Sequence, residues 1–180
     1  MEEKAKRARK PGRESGRIRD WVEPIVEAAL IVLVMFCLCW PVRIQGDSMK
    51  GTFFSGDRVF ISRAMVFFGQ IERDDMIMCK IEDNGHTENI IKRVIGMPGD
   101  IVEIQEGIVR VNGEVLNEVY THGTETMGMV TLRLKKDMYF VMGDNRSDSV
   151  DSRDVGPIHA KKIIGKVFLR YYPFNQIKLY

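Results

Sequence analysis

A chain of 180 residues, 44% apolar and 29% charged, has the composition of an ordered globular protein with room for one domain or two small ones. Three cysteines without a Cys-x-x-Cys pair exclude a disulfide framework and a structural zinc centre. The three histidines (His86, His122, His159) share no metal-ligand spacing, so no metal and no cofactor are expected. The net charge of +2 divides into +3 over residues 1–23 and −1 over the remainder, so the body lacks the basic face that nucleic-acid binding requires, and no nucleic-acid partner is expected.

In chain order, residues 1–23 read as a basic, solvated tail with Lys4, Lys6, Arg7, Arg9, Lys10, Arg13, Arg17 and Arg19. Residues 24–42 are apolar except for Glu27, and Trp21 and Trp40 flank them as interfacial aromatics. About 20 residues of helix cross the hydrocarbon core, so this stretch is expected to be one N-terminal transmembrane helix. A cleavable leader would show a small-x-small site, but Trp40-Pro41-Val42-Arg43-Ile44 follows instead. A buried helix of a soluble domain is the other alternative. The Lys/Arg excess before the span places the N-terminus in the cytoplasm and residues 43–180 outside, on a single-pass protein of the cell membrane whose surroundings include the lipid bilayer.

The body is strand-like throughout. Expected strands are Arg58–Ser62, Met76–Ile81, Ile90–Ile95, Ile101–Gln105, Ile108–Val111, Thr131–Leu134, Tyr139–Met142 and Ile163–Tyr171. Asn112-Gly113 between apolar residues signals a hairpin, and Gly96-Met97-Pro98-Gly99-Asp100 a second turn. Residues 106–136 read as an inserted hairpin region. The fold class is mainly β: an antiparallel barrel or coiled sandwich after one transmembrane helix. Phe53-Phe54 and Ala64–Phe68 are apolar segments beside turns, which fits either core or a membrane-facing patch.

Ser48, just past the apolar stretch, is a candidate nucleophile and needs a base. The scattered histidines carry no triad pattern. Lys92, in Ile90-Ile91-Lys92-Arg93-Val94-Ile95, shares a strand face with Ile90 and Val94. A lysine dried by such neighbours loses its proton more readily, although an edge-strand lysine that discourages aggregation has the same pattern. Gly143 to Arg153 is a polar segment whose alternating charges suit an internal network or a surface loop.

Four segments together resemble bacterial type I signal peptidases, membrane-anchored Ser/Lys proteases that remove signal peptides from exported preproteins. Ser48-Met49-Lys50-Gly51-Thr52 resembles the family's Ser-Met-x-Pro-Thr, and Gly56-Asp57 its second motif. Lys92 to Asp100 resembles the lysine motif, and Gly143-Asp144-Asn145-Arg146 with Ser149, Asp151, Ser152 and Arg153 resembles the last. The resemblance implies Ser48 as nucleophile and Lys92 as general base, with Ser149 orienting Lys92. It also implies an Asp151–Arg153 ion pair, support of the loop by Asp144, Asn145 and Arg146, and a pocket for small residues formed by Ile44, Met49, Phe53 and Ile91. Two departures stand out: Gly51 replaces the family's Pro, and Gly46 stands where some members carry a Ser that donates to the oxyanion. A member dedicated to one client, such as a pilin precursor, and an inactive membrane-tethered β scaffold are the alternatives.

Overall fold

The structure is a computed structural model that describes residues 15–83 and 85–180, without the side chains of 15–19, 33–37 and 83. Most of the expected basic tail, residues 1–14, lies outside the described residues. The chain divides into two compact units, 1–37 and 38–180.

Helix α1 runs Ser15–Leu38, with Trp21, Ile25, Leu30 and Ile31 exposed on it. This corrects the span expected over 24–42. The helix begins earlier and stops at Leu38, and Cys39–Arg43 is strand β1. Pro41 offers no N–H to a helix and pushes Trp40 toward extended backbone, while Cys39 to Arg43 find ladder partners in Ser62 to Arg58. Among the described residues no helix is long and apolar enough to cross a membrane.

The second unit is mainly antiparallel β. Its strands are β1, β2 (Arg58–Ser62), β3 (Met76–Asp83), β4 (His86–Gly96), β5 (Ile101–Gln105), β6 (Ile108–Val111), β7 (Glu114–Val115), β8 (Val130–Arg133), β9 (Met138–Met142), β10 (Ile158–His159), β11 (Ile163–Tyr172) and β12 (Lys178–Leu179). The larger sheet runs β1-β2-β11-β3-β4-β9-β10, with β12 also on β11. The smaller runs β7-β6-β5-β8. The larger path ends at β1 and β10, and the described strands form two antiparallel sheets, as the mainly β class expected. Residues 106–136 are more than a hairpin: β6, β7 and β8 assemble around β5 into that second sheet. Asn112 and Gly113 both take positive φ in the two-residue turn between β6 and β7.

Strand β4 is the element that matters for the site. It pairs with β3 from His86 to Arg93 and with β9 from Arg93 to Gly96, so its second half is buried on both faces. One face joins Ile77, Cys79, Val94 and Val141; the other joins Ile95, Phe140 and Met142 to the core of the small sheet. A third apolar cluster, with Ile44, Met49, Phe53, Val59, Ile61 and Val167, backs the segment after β1. Phe67 and Phe68, on and just after the short helix α2 (Arg63–Phe67), are 84% and 71% exposed.

Candidate active site

Lys92 pairs with Ile77 across the β3–β4 ladder, and its face of β4 packs toward Cys79 and Val94. It is 2% exposed. A six-residue strand segment apolar on both faces buries both of its bases, Lys92 and Arg93. Its ammonium donates to Ser149 Oγ at 3.0 Å, and Ser149 Oγ in turn donates to Asp151 Oδ2 at 2.7 Å. Burial holds the Lys92 pKa below the ordinary lysine value, with Arg153 adding to the depression, against the opposing pull of Asp151. The neighbouring Cys79 thiol is pushed up to about 12 by burial and is therefore unreactive.

The segment from Gly143 to Arg153 is built around Asp151. Its carboxylate accepts from the Gly143 N–H at 3.0 Å, and from Arg153 Nε and Nη2, both at 2.9 Å. Asp151 also caps the single-turn helix α3 (Ser152–Val155), in a reciprocal box with Asp154. Burial alone would raise the Asp151 pKa, yet these donors outweigh it and hold the carboxyl below its usual value. Ser152 Oγ accepts from Val141 N at 2.9 Å and fastens the helix to β9.

Ser48 sits half-buried in a turn closed by Lys50 N to Asp47 O at 2.9 Å and Phe53 N to Met49 O at 2.8 Å. Asn145 bridges this turn to the later segment: its N–H donates to Ser48 O at 3.0 Å and its amide to Asp47 O at 3.1 Å. Gly143 explains how closely the two approach. A Cβ there would lie 2.3 Å from Ser149 Oγ and 2.5 Å from Ser48 O, so only glycine lets the residue that holds Lys92 and the backbone of Ser48 meet. Ser48, Lys92, Ser149, Asp151 and Arg153 are thus gathered at one place. The assembly holds a dry amine of lowered basicity, oriented by a hydroxyl and a carboxylate, close to the backbone of Ser48.

A cleft of about 370 Å³ opens at Ser48, with Ile44, Met49, Met78 and Ile91 as its apolar walls and Arg43 and Glu88 farther along. Three of the four expected pocket residues line it. Phe53 does not: it is fully buried behind the turn, its ring edge-on to Tyr180 at 5.2 Å. At Gly46, which also lines the cleft, a side chain would meet nothing within 4 Å.

The chain matches the family model described as signal peptidase, peptidase S26, over residues 18–172. The chain belongs to this family. It is a serine peptidase, a hydrolase of the signal peptidase I type. It is 34% identical to signal peptidase I P of Bacillus subtilis subsp. natto, an alignment that spans 94% of this chain and 97% of that one. It is 32% identical to signal peptidase I S of Bacillus subtilis (strain 168), over 89% and 92%. A signal peptidase I crystal structure from Enterococcus faecalis V583 matches with a TM-score of 0.46 and 28% identity, covering 53% of this chain and 94% of that one.

In this peptidase the loop residues Asp144 and Arg146 lie away from Lys92 and have partners the sequence did not reveal. Arg93, on the opposite face of β4, forks onto Asp144 with bonds of 2.8 and 2.7 Å, and its guanidinium lies 4.0 Å over the Tyr120 ring. Thr52 donates to the same carboxylate and accepts from Arg93, and its carbonyl accepts from Arg170, which also pairs with Asp57 at 3.3 Å. Arg146 is wholly buried and donates to Glu118 and Thr126. The signal for Arg93 was present in Ile-Ile-Lys-Arg-Val-Ile: with apolar neighbours on both faces, both bases must point inward. Glu118 and Thr126 carry no local signal, because only tertiary contact selects them.

Proposed function

We propose that this chain is a membrane-anchored endopeptidase that cleaves signal peptides from exported preproteins, with Ser48 as nucleophile and Lys92 as general base. The observation that carries the reading is the buried Lys92 ammonium, which shares one site with Ser48 and Ser149 and has its pKa lowered by desolvation. Ser48 Oγ attacks the scissile carbonyl and gives its proton to the neutral Lys92. Lys92 returns it to the leaving amine, and water repeats the cycle on the acyl-enzyme. Ser149, held by Asp151, keeps the amine aimed, and the backbone N–H of Ser48 donates to the oxyanion. Gly46 supplies no side-chain donor there, and a missing donor of this kind is worth about 3 kcal/mol. Ile44, Met49 and Ile91 leave room for alanine before the cut and exclude leucine, since overpacking costs about 1–3 kcal/mol.

The anchor is read from the stretch 24–42, apolar except for Glu27, of which residues 24–38 lie on the 24-residue helix α1, with the basic residues before it keeping the N-terminus in the cytoplasm and the β unit outside, at the cell membrane. The test is cleavage of a preprotein by detergent-solubilised protein, with the cut located by mass spectrometry. Ser48→Ala, Lys92→Ala and Lys92→Arg should each abolish cleavage, the last because guanidinium keeps its proton. Cleavage by well-folded Ser48→Ala protein would overturn the assignment.

A further inference from the structure

A second groove starts where the first cleft ends. The first follows residues 42–46 up to Ser48 and Met49. The second, about 400 Å³, begins at Lys50 and Gly51 and is completed by Phe54, Thr121, His122, Thr124 and Asn145. The two share no lining residue, and the Ser48 turn divides them. Asn145 links the second groove directly to the nucleophile segment through its bonds to Ser48 O and Asp47 O.

Gly51 shapes this groove. Its φ is +107°, which proline cannot adopt, and a Cβ there would lie 2.5 Å from His122 Cδ2 and 2.8 Å from Nε2. The imidazole therefore fills the space that a side chain at residue 51 would need. The groove so formed is mainly apolar, with Phe54 in its lining; Lys50 and His122 are its basic residues, and no carboxylate lines it. Lys50 is exposed and has no ion-pair partner among the described residues.

The geometry points to a subsite for the residues that follow the cut, with Lys50 as its specificity-determining charge and an acidic side chain as its preferred occupant. This rests on the peptidase reading above. A substrate whose small residue occupies the pocket of Ile44, Met49 and Ile91 passes Ser48 and emerges toward Lys50. In extended backbone its next two residues cover about 7 Å, enough to carry them past Lys50 and Gly51. Asp or Glu there meets the Lys50 ammonium, whereas Lys there meets a like charge.

The test is a peptide series with a fixed sequence before the cut and Ala, Asp, Asn or Lys at the first and second positions after it. The full chain in detergent is assayed for kcat/KM at low and high salt. Asp should exceed Lys at one of the two positions by about threefold to fivefold, and the gap should narrow as salt screens it. Lys50→Glu should invert the order and Lys50→Ala should flatten it. Equal rates for Asp and Lys at both positions, or an Asp:Lys ratio unmoved in Lys50→Glu, would overturn the subsite while leaving the peptidase reading intact. Absence of cleavage in every peptide, the all-Ala one included, would overturn that reading and the subsite with it.

Discussion

The Lys92 ammonium is out of water, and its one hydrogen-bond partner among the described residues is a neutral hydroxyl. Keeping it there works against folding. Its pKa is lowered in the folded state, so between that lowered value and the unfolded value near ~10.4 the unfolded chain binds more protons. Stability contributed through this group therefore rises with pH across that window, and the cost of burial is greatest below it. Lys92→Met should abolish cleavage and yet raise stability at neutral pH by on the order of 1 kcal/mol, read as a higher denaturant midpoint. A midpoint that falls would mean the lysine contributes net stability. The same depression should make kcat/KM climb with pH through the Lys92 pKa. Arg153 pushes that pKa down, so Arg153→Met should move the ascending limb toward higher pH in whatever protein still folds. A limb left in place would separate Arg153 from the base. Replacing the three histidines should leave the limb where it is, whereas a histidine base would set it near ~6.5.

Strand β4 and the loop that follows β9 carry the site as elements. β4 presents Lys92 to one face and Arg93 to the other, and the loop meets both, with Ser149 and Asp151 toward the lysine and Asp144 toward the arginine. Gly143 is the hinge point of that arrangement. Gly143→Ala should displace Ser149 from Lys92, lowering kcat by about a hundredfold if proton transfer is mispositioned, with little change in KM. An equal loss in KM would show that the substrate cleft moved instead. Much of this level was readable beforehand. Arg58–Ser62, Ile101–Gln105 and Ile108–Val111 are strands at the residues where alternation and β-branched side chains put them. The two-residue strands β7, β10 and β12 were not readable, since a partner and not local propensity makes them. β1 was absorbed into the apolar stretch before it because a continuous apolar run does not distinguish helix from strand.

At the scale of the whole molecule, the proposed anchor and its orientation are open to a direct measurement. In a cysteine-free background, single cysteines at Ser15 and at Asn112 should react from opposite sides of the membrane. Labelling of both from the cytoplasm would contradict the charge-asymmetry argument. The order of motifs along the chain conveyed which segments carry the site, but not the small sheet's part in it. Glu118 and Thr126 lie in the connection between β7 and β8, and they are what receives the wholly buried Arg146. The site thus draws on segments about a hundred residues apart, from Ser48 to Arg153. In the proposed mechanism, until these have come together Lys92 stands in water as an ordinary ammonium, and Ser48 lacks a base at the pH of a cell. On that mechanism the tertiary structure is a safety catch: a nascent copy is latent toward its neighbours and toward itself until these segments have met.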